Sequence, residues 1–469
     1  MDKSEKVDYN GFVMQGVLHM NKRKFYFSLV LFSLLGQIAW VVENMYFNVF
    51  ISQEFGASQF YVALMVSLSA VVATLTSLFV GAFSDKIGKR KIFIWLGYIV
   101  WGLTITAFCL FSEENLSSVI PSSMNASAVG IALVIAFDCL MTFFGSSAND
   151  ACFNSWITDC TDSTNRGKVE GINSMMPLLA ILVVFGLLSG FAKEGSWWIL
   201  FLIIGALTFI AGIVGFFSLE ESPKRKVEDT RYFQRIFYGF RPSAVKDNRS
   251  LYLCYLSFAL FGIAIQIFMT FLVQYYQIYI PGTTLGMDAY VFVMAPAIVL
   301  AAVFTFFYGR LYDRYGFFKT ILPSLLILSG GLLLLSLTFL SRHIALIFIG
   351  SLLMMSGYLS SAAVFNAKMR DLTPKDKVGS YQGIKMFAQV LIPMLIGPWI
   401  GAVMISGNFS YDMTDVLVPD GYTYAVNPAI FIGALGVTLL SLLSVALIQK
   451  SEKKGRTNDE TERFEPKAD

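Results

Sequence analysis

Three acidic residues stand inside stretches of sequence that are otherwise apolar. Glu43 lies in GQIAWVVENMYFNVF, Asp138 in AFDCLM and Asp150 in SANDACFNSWITD. If these stretches lie in a lipid bilayer, each carboxylate costs several kcal/mol, roughly 2.5–3.5 on an insertion scale, so its presence indicates a function. Because a carboxyl group in a dry cavity can bind and release a proton near neutral pH, all three are candidates for cation or proton coupling.

A polar stripe surrounds the third of these acids. Asp150, Asn154 and Thr158 recur every four residues, so a helix places them on one face, with Phe153 and Trp156 beside it. A carboxylate, an amide and an aromatic surface suit a sugar, since hydroxyl groups need polar acceptors and the C–H face of the ring packs on an aromatic side chain. We therefore expect the acid, the amide and the two rings to bind substrate. The alternative is a helix end that returns to water.

Amide side chains form a second set of polar residues in the apolar stretches. Asn44 and Asn48 follow Glu43 along one predicted helix. The candidates for substrate contacts in the second half of the chain are Gln266, Gln274, Asn366 and Gln389. Each amide has an alternative role, since interhelical hydrogen bonds hold membrane helices together. An amide would do this at a lower cost than an acid, which makes Glu43 the stronger candidate for a substrate contact.

The elements that would position these residues are long apolar segments. The 469 residues are 56% hydrophobic and only 14% charged, with a mean hydropathy of +0.63, whereas soluble domains are about one-quarter charged. Runs of about twenty apolar residues are long enough to cross ~30 Å of hydrocarbon as helices. The sequence therefore predicts an all-α membrane protein with twelve transmembrane helices. They lie near 26–51, 58–82, 92–111, 128–156, 169–191, 197–217, 251–276, 289–310, 320–340, 344–367, 381–404 and 427–448.

The basic residues predict an orientation. With the N-terminus inside the cell, all but two of the 35 Lys and Arg residues fall on the cytoplasmic side, the exceptions being Lys193 and Arg342. Cytoplasmic loops carry such an excess, so we predict a multi-pass protein of the cell membrane with both termini in the cytoplasm. The predicted domains are an N-terminal segment 1–25, a six-helix bundle 26–217, a central cytoplasmic loop 218–250, a second six-helix bundle 251–449 and a tail 450–469. The tail is polar, and we expect it to be disordered.

A short basic motif occurs twice. GAFSDKIGKRK at 81–91 and GRLYDRYGFFK at 309–319 share two glycines and an aspartate at the same spacing. Each copy follows the second predicted helix of a set of six. One copy alone would be weak evidence, but two copies at equivalent positions indicate an internal repeat. The sequence therefore predicts two six-helix pseudo-repeat bundles.

The motif is interpreted as a cytoplasmic gating loop. The first glycine of each copy would allow close helix approach, and the second would adopt positive φ in a turn. The aspartate would accept backbone N–H groups or pair with an arginine. The predicted gating residues are Gly81, Asp85, Gly88 and Arg90 in the first copy and Gly309, Asp313, Arg314 and Gly316 in the second. Phe317 and Phe318 replace basic residues, so we expect the second loop to be held more weakly. The alternative is that the charges only fix topology.

The doubled loop, the twelve predicted helices and the break between the halves resemble the major facilitator superfamily over almost the whole chain. This resemblance implies two six-helix bundles around a central cavity that opens to alternate sides of the membrane.

The block that contains Asp150 and runs on to Ile172 also resembles the glycoside–pentoside–hexuronide:cation symporters within that superfamily. The resemblance implies that Asp150, Phe153 and Ser155 match an aspartate, an aromatic residue and a serine of the family, and that Glu43 stands near its helix 1 sugar-binding acid. Family members that couple to sodium carry acids on helix 2. The corresponding stretch here, LMVSLSAVVATLTSLFVGAF, has none, which favours a proton over sodium.

These observations predict a secondary transporter that imports a sugar or glycoside together with a cation, with a proton favoured over sodium. Two alternatives stay open: proton-driven efflux of drugs or metabolites, and a transporter-shaped receptor or scaffold that moves nothing. The expected partners are a sugar-like small molecule, a co-transported proton or sodium ion and the lipid bilayer, with no nucleic acid, no cofactor or metal, and a monomeric state. The sequence has no nucleotide-binding loop, and we do not expect an enzyme.

Overall fold

The structure, a computed structural model, describes residues 21–161, 165–192, 195–221, 237–279, 289–341, 343–374, 378–407 and 422–464. The regular structure in these ranges is helical, and twelve helices are long and apolar enough to cross a membrane. This confirms the predicted fold class. They are α1 Lys22–Phe55, α2 Gln59–Ile87, α3 Arg90–Leu110, α4 Ala126–Asp159, α5 Lys168–Phe191, α6 Trp197–Ser218, α7 Arg249–Met269, α8 Tyr290–Tyr315, α9 Phe317–Phe339, α10 Ile344–Leu372, α11 Gly383–Ser406 and α12 Ala429–Gln449.

The described residues form two compact units with six of these helices each. The first unit holds α1–α6 and the second holds α7–α12. Residues 422–424, between α11 and α12, belong to the first unit. There the Thr423 hydroxyl donates to the Gly56 carbonyl at 3.2 Å, and the Tyr424 hydroxyl lies 3.2 Å from Ser52 Oγ. Residues 1–20 and 222–236, in the predicted N-terminal segment and central loop, lie outside the described residues.

Capping side chains and glycines set the ends of the helices of the first unit. Asn21 caps α1 by accepting from the backbone N–H of Arg23 at 3.0 Å, and Asn125 caps α4 by accepting from Ala128 at 3.1 Å. Such caps contribute about 1 kcal/mol each. Gly88 ends α2 with a φ of 68°, a conformation that glycine adopts without strain.

Helix α4 contains a wide turn that its sequence pattern did not predict. Residues Ser146–Phe153 are wound as a π-helix between the α-helical segments Ala126–Gly145 and Asn154–Asp159. Tyr98 of α3 fastens this segment, because its hydroxyl accepts from Asn149 Nδ2 at 2.6 Å and donates to the Phe32 carbonyl at 2.9 Å. Local π-helical turns are frequent at functional sites, and Asp150 lies in this one.

The predicted close helix approach at Gly81 and Gly309 is wrong. A Cβ atom added at Gly81 would lie 3.8 Å from the Ala151 Cβ, which is an ordinary contact, and one added at Gly309 would meet no described atom within 4 Å. The close crossings lie elsewhere. In the first unit an added Cβ at Gly102 of α3 would lie 2.4 Å from the Phe209 nitrogen of α6. Gly81 and Gly309, which lie inside α2 and α8, therefore do not mark close helix crossings.

The polar tail is also not as predicted. The last helix runs from Ala429 to Phe464 and so continues well beyond the apolar part of α12. Residues 451–464 are rich in Glu, Lys and Arg, which have high helix propensity. A helix that is already nucleated in an apolar segment can extend into such a sequence at little cost.

Candidate functional site

Two of the three predicted acids meet inside the first unit. Glu43 of α1 and Asp138 of α4 are 8% and 2% exposed. The Ser69 hydroxyl of α2 donates to Asp138 Oδ2 at 2.6 Å, and the Thr142 hydroxyl of α4 donates to Glu43 Oε1 at 2.8 Å. Ser69 Oγ and Thr142 Oγ1 are 2.9 Å apart. We call this continuous row of oxygens, Asp138–Ser69–Thr142–Glu43, the acid–hydroxyl chain.

The helices explain how these residues come together. Asp138 and Thr142 are four residues apart in the regular part of α4, so they lie on one face one turn apart. Ser69 is buried on α2, which packs against this face, and α1 brings Glu43 to it. Sequence reasoning missed Ser69 and Thr142, because serine and threonine are common in membrane helices and nothing in their spacing identified a partner.

The outer oxygens of the two acids are unsatisfied. Glu43 Oε2 and Asp138 Oδ1 are buried and lack a hydrogen-bond partner in the described part of the chain. The ion pairs found there join Arg90 to Asp85 and Asp159 only. Two carboxylates without a basic partner in an apolar interior repel each other and lose their hydration. The acid–hydroxyl chain is therefore chemically suited to hold a positive charge.

Asp150 lies apart from the acid–hydroxyl chain. It is half-buried in the wide turn of α4, with Ser146 and Trp40 as polar neighbours. It is close enough to Glu43 for their charges to interact. The structure thus joins Glu43 to Asp138 through hydroxyl groups and leaves Asp150 as a separate acid of the same region.

The rest of the predicted stripe on α4 lies at the surface of the first unit. Asn154 and Thr158 are exposed. Each side chain bonds its own helix, Asn154 Nδ2 donating to the Asp150 carbonyl at 3.2 Å and Thr158 Oγ1 donating to the Asn154 carbonyl at 3.0 Å. The amide oxygen of Asn154 can accept a further hydrogen bond.

The predicted aromatic platform is wrong. Phe153 and Trp156 are each 1% exposed and stack on one another with ring centroids 5.9 Å apart. The Trp156 ring also packs on Phe25, and its N–H donates to the Glu220 carbonyl at 2.9 Å. Because protein covers both rings and their polar group is paired, they stabilise the unit and offer no surface on which a sugar could stack.

The two amides of α1 differ in their exposure. Asn44 is exposed and donates to the Trp40 carbonyl at 2.8 Å. Asn48 lies in the interior and donates to the Asn44 carbonyl at 3.0 Å. Asn44 thus remains available at the surface of the unit, whereas Asn48 fits the alternative role of a packing amide.

Two of the four predicted amides of the second unit are in contact. Gln389 Nε2 of α11 donates to Asn366 Oδ1 of α10 at 2.7 Å, and both residues are half-buried. Gln266 is half-buried on α7, and Gln274, after α7, is fully buried. The structure therefore brings Asn366 and Gln389 together and places Gln274 in the interior of the unit.

The first gating loop is fastened to α4 by an ion-pair network. Arg90 pairs with Asp85 through Nη2, and its Nε lies 2.6 Å from Asp159 Oδ2 at the end of α4. The Nη1 group donates to Ser84 Oγ at 3.0 Å. Glu221, just after α6, accepts from the backbone N–H of Arg90 at 2.7 Å and so caps α3. Sequence reasoning missed the contributions of Asp159 and Glu221, which are distant from the motif in the chain.

The second gating loop has different contacts. Asp313 is exposed and has no ion-pair partner among the described residues. Tyr312, which stands where the first copy has Ser84, donates to Asp371 at the end of α10. The Lys368 ammonium group of α10 lies 5.4 Å from the centre of the Phe317 ring.

The structure also describes Gly316 and Arg314 of the second gating loop. Gly316 has a φ of 75°, as predicted, and the Arg314 guanidinium lies 5.2 Å from the ring of its neighbour Tyr315. A hydroxyl and aromatic rings therefore take the place of the ion pairs of the first loop.

The sequence model of the Major Facilitator Superfamily matches residues 25–398 of the chain and, in a second alignment, residues 293–468. No curated protein sequence matches the chain significantly.

Solved structures of transporters are similar in fold. A bacterial homologue of the human lysosomal transporter Spinster, in an inward-facing and occupied conformation, has a TM-score of 0.67 at 14% identity over 92% of this chain and 98% of that chain. The D-xylose-proton symporter also has a TM-score of 0.67 at 14% identity, with 89% and 97% covered. The nucleoside transporter NupG has a TM-score of 0.63 at 14% identity, with 92% and 99% covered. At these identities the similarity shows the fold alone.

Proposed function

This chain belongs to the Major Facilitator Superfamily, and from that premise we propose that it is a secondary transporter that imports a sugar-like solute together with a proton. The observation that carries the proposal is the acid–hydroxyl chain. Its two buried carboxyl groups are linked through hydroxyls, and no basic residue of the described part pairs with either acid. A proton-coupled transporter needs such a site, which can gain and lose one positive charge.

The distances within the acid–hydroxyl chain favour a proton over a sodium ion. Its successive oxygens are 2.6, 2.9 and 2.8 Å apart. These are lengths of O–H···O hydrogen bonds, so hydrogen atoms account for all three contacts without a metal ion. The stretch of α2 from Leu64 to Phe83 carries no acid, and the residue that α2 contributes to this chain is the neutral Ser69, which supports the same choice.

The proposal of a sugar-like solute rests on polar groups in each unit. The first unit offers Asp150 and the exposed Asn44 and Asn154, and the second offers the paired amides Asn366 and Gln389. Hydroxyl-rich solutes need such carboxylate and amide partners. Two structural neighbours are a D-xylose-proton symporter and the nucleoside transporter NupG, which supports this class of solute for the present chain.

Uptake by vesicles that contain the purified protein tests the proposal. We expect a panel of radiolabelled sugars to include one that accumulates under an inward proton gradient and not under a sodium gradient. Glu43→Gln removes a titratable group of the acid–hydroxyl chain, so accumulation should fall to the level of protein-free vesicles. The matched control is Glu114→Gln, an exposed acid on the short helix Glu113–Val119.

Two results would contradict the proposal. One is accumulation driven by sodium alone, and the other is unchanged proton-driven accumulation in Glu43→Gln. Reversing the proton gradient in the same vesicles separates import from the alternative of proton-driven efflux, because an exporter would then expel a preloaded solute.

A further inference from the structure

The hydrogen atoms of the acid–hydroxyl chain can be counted. The chain has three contacts between four oxygens, at 2.6, 2.9 and 2.8 Å. Each contact of this length needs one hydrogen atom between its oxygens, or two lone pairs face each other. Ser69 and Thr142 supply one hydroxyl hydrogen each. Two hydrogens cannot fill three contacts, so the third must come from a carboxyl group.

A single additional proton completes the chain. With none, one contact stays unfilled and two buried carboxylates face each other without a basic partner. With one, all three contacts are filled and one carboxylate remains. With two additional protons, the fourth hydrogen finds no short contact: it would occupy the longer separation of 3.3 Å between Ser69 Oγ and Glu43 Oε1, or an outer carboxyl oxygen that has no hydrogen-bond partner in the described part of the chain.

We propose that Glu43 and Asp138 share one proton, which the hydroxyl groups of Ser69 and Thr142 relay between the two acids. The inference deepens the proposed function, on which it rests for the identity of the coupled ion. Ser69 and Thr142 are positioning residues in this proposal, because they act through the two acids.

The relay conserves atoms and charge. In one state Asp138 carries the proton and donates to Ser69, Ser69 donates to Thr142, and Thr142 donates to the Glu43 carboxylate. In the relay the Asp138 O–H bond breaks as its proton passes to Ser69, the Ser69 proton passes to Thr142, and the Thr142 proton forms a bond to Glu43 Oε1. The result is a neutral Glu43 and an Asp138 carboxylate, with all three hydrogen bonds reversed. One negative charge has moved from α1 to α4.

Two further titratable groups of the described residues lie near the acid–hydroxyl chain. The charge of Asp150 reaches Glu43, and the Cys139 thiol lies near both acids of the chain. Asp150 on the wide turn of α4 favours the state in which Glu43 is neutral, because two nearby negative charges repel. Protonation of Asp150 would therefore move the shared proton toward Asp138.

Infrared spectroscopy of the purified full-length protein at neutral pH tests the shared proton without any transport substrate. The C=O stretch of a protonated carboxyl group is separate from the carboxylate bands. Glutamine or asparagine mimics the protonated acid, since its N–H group supplies the third hydrogen of the chain. Compared with the wild type, we expect Glu43→Gln to lose one protonated carboxyl group per molecule and Asp138→Asn also to lose one. We expect the double variant to lose one as well, not two.

Other counts would overturn the proposal. If the acids were protonated independently, the double variant would lose two groups, and if both were ionised, no variant would lose any. Each variant is compared with the wild type in a double-mutant cycle. A separately protonated Asp150 therefore contributes equally to every count and does not change the differences. If the protein shares the proton but fails to transport, the proposed function fails while this inference stands.

The relay itself is tested with variants that retain both acids. Ser69→Ala removes the hydroxyl partner of Asp138, so the frequency of the protonated carboxyl band should shift, and Ser69→Thr, which restores a hydroxyl group, should return it to the wild-type value. The matched control is Ser77→Ala, a buried serine eight residues later on α2. An unchanged band in Ser69→Ala, or an equal shift in Ser77→Ala, would overturn the relay.

Discussion

Arg90 satisfies three acceptors with one guanidinium group. It pairs with Asp85 and Asp159 and donates to Ser84 Oγ at 3.0 Å. The planar fork of arginine can hold acceptors in several directions, whereas lysine presents a compact point charge. Arg90 therefore joins the last turn of α2, which carries Ser84 and Asp85, to the end of α4. The planar shape of its guanidinium group contributes to this contact as well as its charge.

We predict that Arg90→Gln lowers the stability of the protein by about 3 kcal/mol, because it removes the guanidinium group that pairs with both Asp85 and Asp159 in a largely buried position. Arg90→Lys should fall between this variant and the wild type. Thermal unfolding of the detergent-solubilised protein measures the order. The control is Lys86→Gln, at an exposed position in the last turn of α2, and this variant should unfold close to wild type. Equal losses in Arg90→Gln and Lys86→Gln would contradict the prediction.

The individual residues show what a sequence can reveal about a buried polar site. The high cost of a charge in a membrane singled out Glu43 and Asp138 without a structure. Their hydroxyl partners Ser69 and Thr142 carried no such signal, since a hydroxyl in a helix can bond its own backbone at little cost, as Thr158 does. The sequence also does not show whether an aromatic side chain such as Trp156 is buried or accessible to a substrate. The structure shows that it is buried.

At the scale of elements, α4 depends on a close contact with α3. An added Cβ at Gly97 of α3 would lie 2.6 Å from the Ala148 Cβ and 3.4 Å from the Ala148 Cα, in the wide turn of α4. Since the methyl group of Ala148 cannot rotate away, a larger residue must move the helix. The wide turn that carries Asp150 is thus held from one side by a glycine.

We predict that Gly97→Ala destabilises the protein by about 1–3 kcal/mol, the usual cost of overpacking. The control is Gly171→Ala on α5, where an added Cβ meets no described atom within 4 Å; it should be neutral or slightly stabilising, since alanine is the better helix former. Thermal unfolding compares the two variants. If Gly97→Ala proves as stable as Gly171→Ala, α3 and α4 do not pack as closely as described.

The helices themselves were predictable, because length and apolar composition are enough to define a membrane span. The predicted fourth helix, 128–156, differs from α4 by only a few residues at each end. The irregular turn inside it was not predictable. A π-helical turn needs only one additional residue in a turn, and Ser146–Phe153 carry no proline or glycine to mark it. Helix crossings were misassigned for a related reason, since the sequence does not show which glycines face a neighbour.

At the scale of the whole molecule, two units of the same architecture carry different chemistry. The first unit contains the buried acids and the ion pairs of Arg90. In the second unit, the corresponding features are the amide pair Asn366–Gln389 and a loop held by Tyr312 and by Lys368 over an aromatic ring. The duplicated motif predicted the repeat. Phe317, in place of a basic residue, predicted that the second gating loop would be held differently from the first. The assignment of residues 422–424 to the first unit had no counterpart in sequence, since it depends on contacts with α1.

The distribution of charge predicts the orientation of the molecule in the membrane. We propose that both termini lie in the cytoplasm, because four basic residues lie within residues 86–91, at the junction of α2 and α3, while the loop between α3 and α4 has none. In whole cells, a membrane-impermeant maleimide should label Ser118→Cys, which is exposed between α3 and α4, and should label Lys89→Cys only after the membrane is permeabilised. The unsubstituted protein, with its five free cysteines, gives the background. Labelling of Lys89→Cys in intact cells would reverse the orientation and place the network of Arg90 on the outer face.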